Sequence, residues 1–504
     1  MEACKATNLI SMVTKMVVDS PKLVRYWGRK PPFMVSKYIE EFTKEGEVVL
    51  DPFAGSGNIV KVALELGRRA IYVDLNSFAK LIAEGTILGC DVEELKKVID
   101  VIVQDEEIEV VTGEKKIKVS RKELFSIKCP CGEIAEVKSI IFTRFYMFNF
   151  EPEKATKLRR KVLEKIRESD FVTHEKLVEQ LSDIQKNGVT NALKGLIKMG
   201  AVTEQVLPIE INYVKPCICG RTEINGFCEP EWLIEDPIRP AYWYPKTELR
   251  YPDGKPFLKK RDVERVHEFF DSRTLAFLSY LWHKINEINV SYTTKKCLHL
   301  IFMATLARSS KMNRPSGGTW PINSYWIPRK YVIRNPFYVF IRAANDLIHK
   351  LSSCQCKRKE GGNAEVLGKK ADVAFLLDDA AKLSLPDNSV DYVITDPPHT
   401  DEAQFFELST FYTSWMKEEL DFEKEFVVNP RQGKDLKKYL DMYTRFVLEM
   451  RRVLKSSRYF TTILHEEDKT ILEKCIEITK EAGFDLYKLD KIDNFHIITF
   501  VLPK

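Results

Sequence analysis

Two short α/β segments, separated by a long stretch of different character, most constrain the fold of this chain. Residues 47–90 alternate strand, glycine turn, helix and strand, the order that begins a doubly wound parallel sheet. The same alternation resumes near residue 374 and continues to the end of the sequence. Residues 91–373 are too many for a loop and must fold as one or more inserted domains. The sequence therefore predicts one α/β sheet built from two distant segments.

Apolar runs between turn residues predict the strands of this sheet, and helical periodicity predicts the helices between them. The predicted strands are 48–50, 70–73, 374–377, 392–395, 459–464 and 496–502, and the predicted helices include 59–66 and 436–454.

Composition places the chain among ordinary globular proteins. A length of 504 residues, with 44% hydrophobic and 30% charged residues, is enough for two or three domains with ample core. We find no apolar run of membrane-spanning length and no secretory profile at the start, so we expect a cytoplasmic protein without a membrane partner. The formal net charge of +5 is too small to indicate a polyanionic partner by itself.

The first candidate site is a glycine turn after a predicted buried strand. Gly55 and Gly57 permit a tight turn, and the helix that follows offers free N–H groups to a carboxylate or phosphate. Asp74 ends the next strand, where its carboxylate can accept hydrogen bonds from both hydroxyls of a ribose. A dinucleotide-binding motif would have a third glycine where Val60 stands, which disfavours nicotinamide binding. A plain strand-to-helix turn is the alternative.

The second candidate site is a strand end with the sequence Asp396-Pro397-Pro398-His399. The exocyclic amine of a nucleobase is a poor nucleophile because its lone pair is delocalised into the ring. Asp396 and the Pro397 carbonyl can accept both amine protons and so hold the nitrogen in a more tetrahedral state. The prolines fix the backbone and remove competing N–H donors. These residues predict methyl transfer from a sulfonium by direct displacement, unless they form only a strand-terminating turn.

Together these motifs resemble the S-adenosylmethionine-dependent DNA amino-methyltransferases, in particular the large adenine-specific methylases that carry a zinc ribbon. The resemblance lies in residues 29–31, 49–57, 67–74, 378–391 and 395–399. It implies that S-adenosylmethionine binds to Asp51, Phe53, Ala54, Gly55, Gly57, Asp74, Asp379 and Ala380, with Asp379 on the cofactor adenine. It also implies that Asp396, Pro397, Pro398 and His399 hold the target base.

One departure from the family pattern is His399, because the family usually has Tyr, Phe or Trp there to stack on the flipped base. An imidazole can stack over a smaller area, and an exposed turn histidine without a catalytic role is the alternative. Five aromatic residues follow, either sharing the stacking or forming the core face of a helix. They are Phe405, Phe406, Phe411, Tyr412 and Trp415.

Two Cys-x-Cys-Gly turns in the insertion predict a closed structural zinc site of four thiolates. The four ligands are predicted to be Cys129, Cys131, Cys217 and Cys219. Cys228 is a candidate substitute, while the Cys-x-Cys formed by Cys354 and Cys356 is interpreted as a coincidence. The odd total of eleven cysteines also favours free thiols and a metal site over a disulfide framework.

Between the two cysteine turns, three short amphipathic helices and a strand predict a winged-helix-like unit. The helices are predicted at 160–167, 173–181 and 189–199, and the strand at 201–207. The third helix is the candidate for DNA recognition, and a helical bundle with only a packing role is the alternative.

Residues 308–342 contain seven basic residues and no Asp or Glu, with seven aromatic rings between them. Basic groups alternating with rings are typical of a surface that contacts phosphates and unstacked bases, so we prefer nucleic-acid contact to a merely solvated face. The predicted contacts are Arg308, Lys311, Arg314, Arg329, Lys330 and Arg334. The rings are Trp320, Tyr325, Trp326, Tyr331, Phe337, Tyr338 and Phe340.

From these features we predict an α/β protein whose Rossmann-like methyltransferase sheet is interrupted by a long inserted recognition region. Segments 1–100 and 367–504 form the two halves of the methyltransferase domain, 101–250 the zinc-ribbon and winged-helix-like insert, and 251–366 a helical, basic and aromatic segment that recognises DNA. The expected reaction is methylation of adenine N6 in double-stranded DNA after base flipping. Cytosine N4, an RNA or tRNA base, and an inactive DNA-binding module of the same fold are the alternatives. Whether a restriction nuclease is a partner stays open.

Overall fold

The structure of the chain, a computed structural model, describes most of its residues. They are 23–24, 26–27, 32–169, 171–226, 238–258, 263–316, 325–352, 358–465 and 468–504. The predictions for residues 29–31, Trp320, Cys228, Cys354 and Cys356 lie outside the described residues.

The described residues form strands and helices that we number in chain order. The strands are β1 (Val48–Asp51), β2 (Arg69–Asp74), β3 (Glu107–Thr112), β4 (Lys115–Ser120), β5 (Ser126–Lys128), β6 (Ile134–Phe148), β7 (Val172–Thr173), β8 (Val202–Tyr213), β9 (Glu223–Asn225), β10 (Arg239–Pro240), β11 (Lys330–Arg334), β12 (Val373–Leu377), β13 (Val390–Thr395), β14 (Leu454–Leu464), β15 (Asp485–Ile492) and β16 (Phe495–Val501). The α-helices are α1 (Pro32–Phe42), α2 (Asn58–Glu65), α3 (Ser77–Ile87), α4 (Val92–Gln104), α5 (Arg121–Leu124), α6 (Lys157–Arg167), α7 (His174–Gln180), α8 (Lys186–Lys198), α9 (Ser272–Glu287), α10 (Tyr292–Ser309), α11 (Pro336–Ser352), α12 (Asn363–Leu367), α13 (Phe405–Met416), α14 (Leu436–Val453) and α15 (Lys469–Glu481).

The two α/β segments form a single seven-stranded sheet, as the sequence predicted. Its strand order is β12-β2-β1-β13-β14-β16-β15. The first five strands run parallel, and β16 is antiparallel to both of its neighbours. The first segment thus contributes β1 and β2, while the second supplies the strands on both sides of that pair. The α/β fold class is confirmed.

Side-chain alternation along the strands places apolar residues on both faces of this sheet. Val48 and Leu50 pack on one face, in the core that includes α14, whereas Val49 packs on the other, against α1 and α2. Both faces are therefore covered by helices, as expected for a doubly wound sheet. Strand β15 was missed from the sequence because it is an edge strand without apolar–polar alternation, and its exposed positions carry Asp, Tyr, Lys and two leucines.

The insertion contains a second sheet with the order β11-β6-β8-β9, in which β6 also pairs with β5 and β7. The long strands β6 and β8 run antiparallel from Val137↔Tyr213 to Phe148↔Val202. Helices α6, α7 and α8 pack around one small core beside the far end of this pair. The three helices and the strand predicted there are present, and α6 begins three residues earlier than predicted because Thr156 caps it by accepting from the Arg159 N–H.

Helices α9, α10 and α11 share one hydrophobic core with α3, α4 and α13. Helices of the predicted 251–366 segment therefore pack directly on helices of both predicted halves of the methyltransferase domain. The segment is thus joined to the sheet domain by a continuous hydrophobic core. Among the helices of the described ranges, none is both long and apolar enough to cross a bilayer.

Candidate active site

The two predicted sites meet at the carboxyl ends of adjacent strands. β1 and β13 are parallel neighbours, with Val49 opposite Tyr392 and Leu50 opposite Val393. Immediately beyond this pairing, the Thr395 hydroxyl donates a hydrogen bond to Asp51 Oδ1 over 2.7 Å. A cavity of about 1050 Å³ opens at this edge and is lined by residues of both loops. Two motifs that are far apart in the sequence therefore form one site, where ligands bind in open α/β sheets.

The glycine turn after β1 requires glycine at two positions for steric reasons. Gly55 and Gly57 have φ angles of +51° and +78°, a region that side chains disfavour. A Cβ on Gly55 would lie 2.9 Å from the Tyr26 ring, and a Cβ on Gly57 would lie 2.8 Å from Ile87 and 2.9 Å from Ala83. The turn therefore has no room for a Cβ at either glycine, and Gly55 lines the cavity.

Asp74 closes the same turn from the end of β2. Its Oδ2 accepts a hydrogen bond from the Gly55 N–H, and its Oδ1 accepts one from the Asn76 N–H, each over 2.8 Å. Burial raises the pKa of Asp74 from 3.8 to about 6. The residue lines the cavity, where its carboxylate can accept hydrogen bonds from a ligand.

Asp51 ties the two strand ends together. Its side chain is buried and accepts hydrogen bonds from the Thr395 hydroxyl and, over 3.3 Å, from the Phe53 N–H. Burial raises the pKa of Asp51 to about 8, and the nearby carboxylates Asp396 and Asp74 add to the increase. This residue was predicted to bind the cofactor, and its contacts show in addition a structural role between β1 and β13.

The remaining predicted cofactor residues also line the cavity. They are Phe53, Ala54, Asp379 and Ala380. The Phe53 ring packs against Phe426 and Phe446, with centroid distances of 5.2 and 5.0 Å. Asp379 lies just after β12, two strands from β1, and accepts a hydrogen bond from the Ala381 N–H over 2.9 Å. Seven of the eight residues of the predicted cofactor set thus line one cavity, and the eighth, Gly57, is not among the lining residues but lies in the same turn as Gly55.

The Asp396–His399 loop follows β13 and faces the glycine turn across the cavity. His399 Nε2 lies 3.0 Å from Asp396 Oδ1, and the two side chains are 11% and 16% exposed. The Tyr439 hydroxyl, on helix α14, donates a hydrogen bond to the Pro398 carbonyl over 2.9 Å. Tyr439 was not predicted as a site residue, because it lies within the predicted helix 436–454 and no motif indicates that its hydroxyl reaches the loop.

Four of the five aromatic residues that follow the loop are buried, with exposures of 4% or less. They are Phe406, Phe411, Tyr412 and Trp415. Phe405 is partly exposed, lines the cavity and stacks on Tyr26 with centroids 5.9 Å apart. Phe405 is therefore the ring of this group that is best placed to meet a ligand. Tyr26 and Trp27 also line the cavity, and no sequence signal indicated them.

The four predicted zinc ligands come together on the insertion. Each Cys-x-Cys-Gly turn ends in a glycine with positive φ, Gly132 and Gly220. The sulfur of Cys131 lies 3.5 Å from that of Cys217, and all four sulfurs lie within 4.8 Å of one another. Sulfurs at about 2.3 Å from a tetrahedral ion would be about 3.8 Å apart, so these residues fit a zinc ion.

The predicted basic contacts do not form one uniform surface. Arg308 lines the active-site cavity and pairs with Asp346 over 3.1 Å. Lys311 is mostly enclosed and donates to the Glu268 carbonyl over 3.1 Å, a packing contact. Arg314 is exposed and holds its guanidinium 5.0 Å above the Trp326 ring. Burial lowers the pKa of Lys311, as expected for an ammonium group enclosed by protein.

The other three basic residues lie on or beside β11. Lys330 is exposed, whereas Arg329 and Arg334 are half-buried. Most of the rings in this region belong to the core, because Tyr325, Tyr331, Phe337 and Phe340 are buried. The interpretation of these four rings as platforms for bases is therefore wrong.

Comparison with known proteins links the first loop to DNA methylation. Residues 14–85, which include Gly55, Gly57 and Asp74, match the model of a family described as DNA methylase. The resemblance to the DNA amino-methyltransferases is confirmed. The type II methyltransferase M.MjaII of Methanocaldococcus jannaschii is 32% identical over 74 residues, which is 15% of this chain and 14% of that protein. The type II methyltransferase M2.DpnII of Streptococcus pneumoniae is 48% identical over 58 residues, 10% of this chain and 22% of that protein.

The chain thus spans less than a quarter of the length of either DNA methyltransferase relative. Among solved structures, a SAM-dependent methyltransferase of Aquifex aeolicus is 16% identical, with 32% of this chain and 76% of that chain covered and a TM-score of 0.16. The sheet order described above, rather than this likeness, establishes the fold. The family match ends at residue 85 and therefore does not include the cysteine cluster.

Proposed function

We propose that this protein is an S-adenosylmethionine-dependent DNA methyltransferase that acts on an exocyclic base amine, adenine N6 in the first place. One observation carries the proposal: the glycine turn with Asp74 and the Asp396-Pro397-Pro398 loop face the same cavity from adjacent strand ends. A methyl donor and an amine acceptor can be aligned in such a cavity without a covalent intermediate. The similarity of residues 14–85 to DNA methylases supports the same reaction class.

The cofactor half of the site fits S-adenosylmethionine through the chemistry of its residues. That molecule would supply a methyl group activated by a positively charged sulfur. Asp74 offers carboxylate oxygens to a ribose, and Asp379 offers one from the neighbouring strand end. The carboxylates of Asp74, Asp379 and Asp396 together make the cavity favourable for a cation.

The acceptor half of the site would hold and orient the amine. The Asp396 carboxylate and the Pro397 carbonyl accept the two amine protons, which directs the nitrogen lone pair toward the donor methyl group. As the new nitrogen–carbon bond forms, the carbon–sulfur bond breaks and its electron pair stays on sulfur. One amine proton then leaves, through Asp396 or to solvent. Cytosine N4 presents the same amine chemistry and is the runner-up substrate.

Double-stranded DNA is the proposed partner. Arg308 at the cavity and the exposed Arg314 and Lys330 lie on the segment that packs against the sheet, where they can contact phosphates beside a flipped base. Lys311 is not proposed as a DNA contact, because its ammonium group donates a hydrogen bond to the Glu268 carbonyl. Helix α8 contains no acidic residue. Its exposed residues are Lys186, Asn187, Asn191, Lys194 and Lys198, a composition suited to a DNA groove.

A structural zinc ion at Cys129, Cys131, Cys217 and Cys219 is proposed as a second component. Four thiolates leave no open position, so the ion would join the two turns and take no part in methyl transfer. We expect about one zinc per chain by metal analysis. The double variant Cys131→Ser, Cys219→Ser should lose it, whereas Cys475→Ser, a buried cysteine outside the cluster, should retain it. Equal zinc content in both variants would contradict the site.

The deciding experiment is transfer of labelled methyl from S-adenosylmethionine to genomic DNA, followed by nucleoside digestion. We expect label in N6-methyladenine. Asp396→Ala should abolish transfer while cofactor binding, measured by calorimetry, stays unchanged. The control Asp401→Ala removes an exposed carboxylate from the same loop and should keep wild-type activity.

Label in N4-methylcytosine would identify cytosine as the substrate base, and label only in RNA would identify RNA as the substrate. No transfer to any nucleic acid, with cofactor still bound, would indicate an inactive DNA-binding module. A cytoplasmic location and an accompanying restriction nuclease stay predictions.

A further inference from the structure

Phe405 is a partly exposed ring that lines the active-site cavity and follows the acceptor loop in the chain. It is the first residue of helix α13. Among the described residues, the other phenylalanine, tyrosine and tryptophan rings that line the cavity are buried, with the exception of Phe53. Phe53 belongs to the glycine-turn loop and packs on Phe426 and Phe446, in the half of the site proposed for the cofactor. Phe405 is therefore the ring of this kind outside the cofactor half that is open to the cavity.

The backbone on both sides of Phe405 is fixed by buried polar contacts. The preceding residue, Gln404, is buried, and its side-chain oxygen accepts a hydrogen bond from the Asn429 amide over 2.6 Å. The N–H of the following residue, Phe406, donates to the buried Glu425 carboxylate over 2.8 Å. The ring is thus held in place before any base arrives, which reduces the conformational entropy that binding would cost.

The two rings nearest the acceptor loop in the chain differ in the surface that they offer to a ligand. The His399 side chain is only 11% exposed, and its ring packs edge-on against His465 with centroids 5.9 Å apart. The Phe405 ring stacks on Tyr26, with centroids 5.9 Å apart and planes inclined by 28°, and still reaches the cavity. A flat ring supported by a second ring is a suitable platform for the π-face of an unstacked base.

Resting on the proposed function, we propose that Phe405 is the ring on which the flipped base stacks, and that His399 does not take this role. A base that leaves the duplex loses the stacking of both its neighbours, so the enzyme that extrudes it must provide a replacement surface. Every base has a π-face, and a phenyl ring accepts all of them. Phe405 therefore holds the base in the cavity, while the choice between adenine and cytosine depends on groups that meet the edge of the base.

Three substitutions separate the contributions of the two rings. Phe405→Leu keeps an apolar side chain but removes the ring, Phe405→Tyr keeps the ring, and His399→Leu removes the imidazole. We expect Phe405→Leu to lower kcat/KM for DNA about 5- to 100-fold, the range for the loss of one stack between a base and a ring. Phe405→Tyr should stay within about threefold of wild type, and His399→Leu should lose less than Phe405→Leu. A larger loss in His399→Leu would assign the stacking to His399 and overturn the proposal.

Two controls distinguish stacking on the base from packing of the protein. Affinity of Phe405→Leu for S-adenosylmethionine, measured by calorimetry, should stay within about twofold of wild type, and thermal melting checks that the fold is kept. Phe422→Leu removes another partly buried ring, one that does not line the cavity, and should keep the wild-type kcat/KM. A loss of cofactor affinity equal to the loss in kcat/KM would show that Phe405 supports Tyr26 and the glycine turn instead, and would overturn the proposal.

A photochemical measurement identifies the stacking ring directly. The methylated site is first mapped in genomic DNA, and a duplex containing that site then carries 5-iodouracil at the target position. Irradiation of its complex with the wild-type protein joins this base to a ring stacked on it, and mass spectrometry identifies the joined peptide. We expect a link to Phe405, whereas a link to His399 or Phe53 would overturn the proposal. If no nucleic acid is methylated, the proposed function fails; if DNA is methylated and Phe405→Leu is as active as wild type, the stacking role of Phe405 alone fails.

Discussion

The two loops of the site lie on neighbouring strands but are held in place by different means. The glycine turn is shaped by its own backbone, with Gly55 and Gly57 in positive φ and Asp74 accepting from the Gly55 N–H. The Asp396–His399 loop is instead held by side chains and backbone groups from distant elements, the Tyr439 hydroxyl and the His465 N–H. The contacts that hold the first loop come mainly from the β1–β2 unit and helix α3 next to it in the chain, whereas the second loop is held mainly by elements further along the chain.

This difference has a consequence for how each loop tolerates change. A turn with no room for a Cβ is distorted when a single carbon atom is added to it. A loop held by separate hydrogen bonds should lose its geometry in steps, with each contact contributing about 0.5–1.5 kcal/mol. Substitutions in the first loop should therefore act on cofactor binding and stability together, and substitutions around the second should act on the rate of transfer.

The largest effect is expected for Gly57→Ala. The added Cβ would lie 2.8 Å from Ile87 and 2.9 Å from Ala83, in addition to the strain of a φ of +78°. Gly254→Ala is a matched control, because its φ is +81° and nothing lies within 4 Å of the new Cβ. We expect urea unfolding to show a loss of about 1 kcal/mol for the control and about 2–4 kcal/mol for Gly57→Ala.

Calorimetry should also show that Gly57→Ala loses S-adenosylmethionine binding while Gly254→Ala retains it. Equal losses of stability in the two variants would mean that the turn has room for a side chain. The glycine turn and the Asp396–His399 loop would then not differ in how they tolerate substitution.

A second test uses the pH dependence of cofactor binding. Asp74 has a pKa raised from 3.8 to about 6 by burial, and its charged form is the better acceptor for ribose hydroxyls. The part of the affinity for S-adenosylmethionine that depends on Asp74, taken as the ratio of wild type to Asp74→Asn, should be constant well above pH 6 and fall up to tenfold per pH unit below it. In Asp74→Asn the affinity should be lower at every pH and lack this transition. Constant wild-type affinity from pH 7.5 to 5 would contradict the role of Asp74.

Stability of the cofactor-free protein should respond to the same group with the opposite sign. Because the folded-state pKa of Asp74 is raised, the folded state binds more protons than the unfolded state between pH 3.8 and about 6. The contribution of Asp74 to stability therefore decreases as the pH rises through that window. The difference in unfolding free energy between wild type and Asp74→Asn, followed across this pH range, isolates the effect.

The same contrast explains what the sequence could predict. The glycine turn, Asp74 and the strand ends were predicted correctly because strand and turn patterns are local, and parallel strands bring their carboxyl ends to one edge. The four cysteines were brought together as predicted because each pair lies in its own tight turn. Tyr26, Tyr439 and His465 could not be predicted, because their roles depend on contacts across more than 25 residues of chain.

The aromatic rings of the basic segment, residues 308–342, were predicted wrongly for a different reason. Rings at Tyr331 and Phe340 were interpreted as platforms for bases, but Tyr331 on β11 and Phe340 on α11 are buried in two separate hydrophobic cores. A strand or helix with one buried face has apolar rings at regular intervals whether or not the other face binds nucleic acid. Interleaving of basic and aromatic residues therefore did not distinguish a core face from a stacking surface.

The smallest effect is expected for Tyr439→Phe, which removes one of the supports of the second loop. Loss of the hydrogen bond to the Pro398 carbonyl should lower kcat about 3- to 10-fold, because the loop keeps its other contacts. Cofactor affinity, which depends on the first loop, should not change. Tyr443→Phe, one turn further along α14 and buried in the core, is the control and should keep the wild-type kcat. A loss of cofactor affinity equal to the loss in kcat would show that the two loops are not independently supported, since removing a contact to one would have displaced the other.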